Sequence, residues 1–358
     1  MGYRLNKKAA ELKAYETEGN RYPVQLDANE SFCLLPEAVR KEILEALEKA
    51  VYNRYPDSRS RTCIEAFAAY YGIHPRCLTA GNGSDELIGV ILNGFFSRGE
   101  RLLLAEPDFS MYRFYAHGAE LEVEAYEKGG DFEIKPEAFE EKLRSGAFRG
   151  VIFSNPCSPT SLGLDRETIK GLIRTFPAVL FILDEAYMDF WDQSLLPEVE
   201  AYDNLIILRT CSKALGAAGI RLGFAAANPV LTGALQALRS PYNVNGLTQA
   251  AAAVILGHPQ ALKKALEEIL SEKAILTEGL ERIAAAFAGK ALSFRVLPKS
   301  RTNFLALVFV TADAQAETAA YLKARGILVR SLPGVMRVTV GSREENERLL
   351  EALGTMPR

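Results

Sequence analysis

Four short runs with no polar side chain in them punctuate the middle of this chain: Leu102-Leu103-Leu104, Val151-Ile152-Phe153, Val179-Leu180-Phe181-Ile182-Leu183 and Leu205-Ile206-Ile207-Leu208. A strand exposed on one face alternates apolar and polar residues, so unbroken runs of this length require strands covered on both faces. Helical patterns lie between them and supply the crossovers that parallel strands need. The central region is therefore predicted to be α/β, with a mixed, mostly parallel sheet flanked by helices. Ahead of it, Val39, Ile43, Leu44 and Leu47 recur at helical spacing after Pro36, which predicts an amphipathic helix from about Pro36 to Val51.

Beyond Asn245 the pattern changes. Residues 248–288 are rich in alanine and glutamate at helical spacing, and strand-like stretches follow at 292–297, 304–310 and 335–340. This succession predicts a smaller α+β unit, joined by the first residues of the chain. At 358 residues the chain is longer than one ordinary domain. The expected division is a large domain over 30–245 and a small one from 1–29 and 246–358.

A formal net charge of −3 with evenly mixed signs offers no field for a polyanion or an anionic membrane surface, so nucleic acid and membrane are not expected partners. The five cysteines are scattered, odd in number and without a C-x-x-C pair, which argues against a disulfide framework or a zinc site. The three histidines stand far apart, and no metal is expected. Residues 1–8 lack the apolar core of a signal peptide, and a cytoplasmic setting is expected.

Polar residues gather where the apolar runs end: Ser154-Asn155-Pro156, Asp184-Glu185-Ala186-Tyr187, and Arg209-Thr210-Cys211-Ser212-Lys213. Open α/β sheets place ligands at such strand ends. Each group also has a plain explanation, the aspartate as a cap and the lysine as a solvated charge. A glycine-bearing turn, Gly81-Asn82-Gly83-Ser84-Asp85-Glu86, feeds a helix. It suits either a phosphate on free backbone N–H groups or a simple capped turn, with Ser84 or Asp85 as the cap.

Taken together, Gly81–Glu86, Asp184–Tyr187, Ser212-Lys213-Ala214 and Gly219-Ile220-Arg221-Leu222-Gly223 resemble the signature segments of class I/II, fold-type I aminotransferases. Among these the chain is most similar to the histidinol-phosphate aminotransferases. Asp27-Ala28-Asn29-Glu30, Arg54-Tyr55-Pro56, Pro241–Asn245, Gly326–Arg330 and Arg337–Gly341 extend the resemblance, in the family's order, over nearly the whole chain.

The resemblance implies pyridoxal 5′-phosphate as cofactor, with Lys213 as its Schiff-base lysine and the base that moves the substrate proton. It implies that Asp184 pairs with the pyridine nitrogen, that Tyr187 and Asn155 bond the ring's phenolic oxygen, and that Phe109 stacks on the ring. Ser84, Asp85, Thr210, Ser212 and Arg221 would surround the cofactor phosphate, with Tyr55 reaching it from the other subunit of a homodimer with shared active sites. Arg337 would grip the substrate α-carboxylate and Arg330 a substrate phosphate, with Asn155 also near the substrate. The implied substrates are an amino acid and a 2-oxo acid, with L-histidinol phosphate and 2-oxoglutarate leading. A threonine-phosphate decarboxylase-like lyase and an aromatic amino-acid aminotransferase are the alternatives.

The chain departs from the family pattern in three places. The usual Asn-Pro-x-Asn-Pro-Thr-Gly segment is here Asn155-Pro156-Cys157-Ser158-Pro159-Thr160-Ser161, the 31–36 stretch is unusual, and the segment between Arg330 and Arg337 is short. The side-chain pocket is therefore expected to differ from the family's usual form.

Overall fold

The computed structural model describes residues 2–11 and 22–357, so part of the expected N-terminal contribution, residues 12–21, lies outside the described residues. Two sheets organise the rest. Strands β1 (Val24–Leu26), β9 (Phe294–Val296), β10 (Phe304–Phe309), β11 (Ile327–Leu332) and β12 (Val335–Thr339) form the smaller, in the order β1-β11-β12-β10-β9. Strands β2 (Leu78–Gly81), β3 (Arg101–Glu106), β4 (Glu122–Glu127), β5 (Phe148–Ser154), β6 (Leu180–Asp184), β7 (Leu205–Thr210) and β8 (Gly223–Ala227) form the larger, in the order β2-β8-β7-β6-β5-β3-β4. Of these, β8 alone runs opposite to the other six, so the large sheet is mixed and mostly parallel.

The unbroken apolar runs are explained by two cores. Leu103, Val151, Phe153, Phe181, Leu183, Leu205 and Ile207 face one core, and the alternate residues Leu102, Leu104, Ile152, Ile182, Ile206 and Leu208 face another on the opposite side of the sheet. The period of two persists; both faces are simply buried. The edge strand β4 differs, with Glu122, Glu124 and Glu127 along it and only partial burial, which protects its open side from pairing.

The first amphipathic helix spans Glu37–Glu48, with Pro36 as its N-cap. The long alanine-rich stretch is two helices, Gly246–Leu256 and Pro259–Ala286, separated at Gly257-His258, and Pro259 starts the second because its missing N–H has no role in a first turn. Ala252, Ile255, Leu256 and Leu262 pack into the large-sheet core, so its apolar packing extends past residue 245. Among the described residues no helix is long and apolar enough to cross a membrane.

Candidate active site

Parallel strands that share a register bring their C-terminal ends to one edge. Ser154 and Asp184 are direct partners across β5 and β6, and Thr210 closes the adjoining β7. The chain after β7 carries Ser212 and Lys213 over this edge before returning as β8. The 83–94 helix starts beside it, because Gly81 ends β2 opposite Gly223 at the start of β8.

A cavity of about 360 Å³ opens here between the large sheet and β11–β12 of the small one. It is lined by Ser84, Asp85, Phe109, Asp184, Tyr187, Thr210, Ser212, Lys213, Arg221, Arg330 and Arg337, residues spread over the chain that the fold gathers around one space. At one end the guanidinium of Arg221 donates to Ser212 Oγ at 3.3 Å and stands 3.5 Å from Asp85 Oδ2. This corner is tight: a Cβ on Gly223 would lie 2.4 Å from the Ser84 backbone nitrogen, so only glycine admits that approach.

On the floor, Asp184 is buried, accepting from the Tyr112 hydroxyl at 2.7 Å and from the Ala186 N–H at 3.0 Å. Burial pushes its carboxyl up to about 7, and the nearby Asp108 and Asp85 charges act in the same direction. Lys213 Nζ donates to the Ala28 carbonyl at 2.7 Å. That carbonyl is aimed by Asn29, whose backbone is left-handed (φ 54°) and whose side chain donates to Tyr187 Oη at 2.8 Å and accepts from Thr339 Oγ1 at 3.1 Å. On the small-sheet side Arg337 donates to Ser158 Oγ at 2.9 Å and to the Asp27 carbonyl at 2.5 Å, and Arg330 is its cross-strand partner on β11.

Two of the sequence candidates lie elsewhere. The Asn155 carboxamide is engaged with one backbone, donating to the Leu164 carbonyl at 3.0 Å and accepting from the Leu164 N–H at 2.8 Å, and it borders a neighbouring cavity. The hydroxyl that reaches this corner belongs to Ser158, which stands where the usual segment has its second asparagine; counting along that segment is the signal that finds it. Tyr55 is 81 % exposed and stacks on Tyr242 with ring centroids 4.6 Å apart, outside the cavity of its own chain. Sequence reasoning also missed Tyr112, one helical turn beyond Phe109, and the Asp27 and Ala28 carbonyls. A backbone acceptor leaves no signature in composition or spacing.

With this geometry in view, the family match is decisive: aminotransferase class I and II covers residues 22–353. The chain belongs to the class I and II aminotransferases. Their cofactor, and that of this enzyme, is pyridoxal 5′-phosphate. The chain is 31 % identical to a histidinol-phosphate aminotransferase of Clostridium novyi, over 98 % of this chain and 96 % of that protein. It is 37 % identical to one of Thermococcus gammatolerans, over 94 % and 92 %. The fold is similar to that of the histidinol-phosphate aminotransferase of Sinorhizobium meliloti solved with pyridoxal-5′-phosphate, with a TM-score of 0.86 and 23 % identity over 99 % of this chain and 97 % of that one.

The cavity of this aminotransferase suits the cofactor chemically. A buried carboxyl raised to about 7, with no cation within ion-pair distance among the described residues, lacks the partner that a protonated pyridine nitrogen provides. The opposite end offers the N-terminus of the 83–94 helix, three hydroxyls and a guanidinium, the donor set a phosphate dianion requires.

Proposed function

We propose that this aminotransferase is a histidinol-phosphate aminotransferase, converting L-histidinol phosphate and 2-oxoglutarate into imidazole acetol phosphate and glutamate. The observation that carries the reading is the cross-strand pair Arg330 and Arg337, two guanidiniums on adjacent strands lining the cavity that also holds Lys213. Placed directly opposite each other, they concentrate positive charge on one wall of that cavity. Histidinol phosphate carries a phosphate monoester and no carboxylate, whereas glutamate carries two carboxylates. A pair of forked cations serves both halves of a ping-pong exchange. The relatives named for this activity, at 31–37 % identity over nearly the full chain, support the same substrate.

Pyridoxal phosphate supplies an electron sink for the carbanion that forms at the substrate Cα. In this reading Lys213 is its covalent anchor, and Lys213 Nζ moves the proton at Cα, with the Ala28 carbonyl holding the ammonium form. Asp184 would keep the pyridine nitrogen protonated, oriented by Tyr112. Tyr187, with Ser158 and Asn155 at the strand end, would hold the phenolic oxygen, and Phe109 would cover the ring. Ser84, Asp85, Thr210, Ser212 and Arg221 would hold the phosphate.

The active unit in this reading is a homodimer. Leu44, Val51, Tyr52, Tyr55 and Tyr242 form an exposed apolar and aromatic group around the first amphipathic helix and the Tyr55–Tyr242 stack, a surface suited to a second copy. Tyr55 would reach the partner's cofactor phosphate from it.

The test is a comparison of kcat/KM for histidinol phosphate, histidinol and phenylalanine with 2-oxoglutarate, with carbon dioxide release followed for threonine phosphate. A preference for histidinol phosphate that Arg330→Ala removes supports the proposal. Equal efficiencies, or decarboxylation, refute it.

A further inference from the structure

Behind the wall of the catalytic cavity lies a buried cluster that amino transfer does not use. Asp108, at the start of the segment after β3, and Lys128, just after β4, form an ion pair at 3.4 Å with side chains 2 % and 1 % exposed. Lys128 Nζ also donates to the Pro107 carbonyl at 2.8 Å and lies 3.1 Å from Cys157 Sγ. Lys128 and Cys157 both line a second cavity of about 220 Å³, on the far side of Ser154 and Asn155.

Cys157 is unlike the other cysteines. Among the described residues, Cys157 is the thiol with an ammonium in direct contact, the setting in which sulfur reacts with oxidants.

We propose that Lys128 and Cys157 are a modification site at which a hydroperoxide, such as hydrogen peroxide, drives formation of a covalent sulfur–nitrogen bridge. The Cys157 sulfur attacks one peroxide oxygen and the O–O bond breaks. Sulfur keeps that oxygen as a sulfenic acid, and the other departs as water with the thiol proton. Lys128 then passes its ammonium proton to Asp108, the carboxylate paired with it at 3.4 Å. The neutral amine attacks sulfur; the S–N bond forms, the S–O bond breaks, and the oxygen leaves as water with an amine proton. Sulfur is oxidised by two electrons and the peroxide is reduced to two waters. A nucleophile held beside its electrophile favours this closure over attack by a second peroxide.

The bridge removes the ammonium, and the proton it gave up neutralises the Asp108 carboxylate. That carboxylate accepts from the backbone N–H of Phe109 at 2.8 Å and of Ser154 at 3.1 Å, and from the Ser154 hydroxyl, all at the wall of the catalytic cavity. Oxidation at Cys157 is thus coupled to the shape of the active site.

The test treats the holoenzyme with increasing hydrogen peroxide and follows intact mass, peptide maps and transamination. The expected result is a loss of two hydrogens per chain, one linked pair of peptides containing Lys128 and Cys157, and a several-fold fall in activity, all reversed by a thiol reductant. Cys157→Ala should form no bridge and keep its activity through the same treatment. Lys128→Arg, which retains the cation, should accumulate a sulfenic acid at Cys157 that dimedone traps. Cys157 recovered as a free thiol, as a sulfinic acid beside unmodified Lys128, or in a disulfide overturns the proposal, and a fully bridged enzyme with unchanged turnover overturns the coupling.

Discussion

The Tyr112 hydroxyl donates to Asp184 Oδ2 at 2.7 Å, and both side chains are shut away from solvent. The bond favours the carboxylate, but desolvation outweighs it, so the Asp184 carboxyl is pushed up to about 7. A cation brought against Asp184 would shift it toward the ionised form.

A stability consequence follows in the cofactor-free protein. Folded Asp184 keeps its proton to about pH 7, while the unfolded chain releases it near 3.8. The folded state binds the extra proton across that interval, so stability falls as pH rises from about 4 to about 7 and levels off above. Asp184→Asn should flatten part of this decline, by on the order of 4 kcal/mol at most. Urea denaturation of the two apoproteins at a series of pH values checks it, and identical profiles would assign the decline to other carboxyls such as Asp108.

With cofactor bound, Asp184→Asn should leave the fold intact and reduce kcat by at least ~100-fold, with KM less affected, because the carboxylate would count most for the charge that develops in the chemical step. Steady-state kinetics beside a circular dichroism spectrum decide the matter; near-normal turnover would remove Asp184 from the mechanism.

Lys213→Ala should bind pyridoxal phosphate without the covalent link, so a wild-type protein expected to be yellow should give a variant with a free-aldehyde spectrum. Turnover should drop by roughly 100-fold to 10,000-fold or more, since anchor and proton carrier are lost together. Absorbance titration and product assay test both statements.

Gly223→Ala places a methyl 2.4 Å from the Ser84 nitrogen, forcing the 83–94 helix start away from Thr210 and Ser212. Cofactor affinity should fall about tenfold or more, near 1.4 kcal/mol, while thermal stability of the apoprotein changes less. An unchanged dissociation constant for pyridoxal phosphate would mean that the phosphate sits elsewhere.

If Tyr55 serves the partner's site, mixing Lys213→Ala with a Tyr55 variant that weakens cofactor binding should restore activity. Each heterodimer then holds one intact and one doubly damaged site, and an equal mixture at full exchange approaches about a quarter of wild-type activity. Activity that never exceeds the sum of the separate variants, with exchange verified, would confine Tyr55 to its own subunit.

The sequence by itself determined the parallel core of the large sheet and which polar residues end its strands. Runs such as Val179–Leu183 can be satisfied only by a strand buried on both faces, and the polar residue ending each run then falls at a common edge, so Asp184, Thr210 and Lys213 were legible as neighbours. Strand β8, Gly-Phe-Ala-Ala-Ala, escaped notice because alanine signals helix in isolation, and only the room between packed layers selects such small residues there. Tertiary structure alone decided which polar groups meet. Asn155 and Ser158 lie three positions apart in one segment, yet the Leu164 backbone claims the first and Arg337 the second. The left-handed turn at Asn29, which aims the Ala28 carbonyl at Lys213, is held by Tyr187 and Thr339, far away in the chain. Local pattern fixes periodicity and strand ends, whereas hydrogen-bond partners depend on distances between segments that only the folded chain brings within reach.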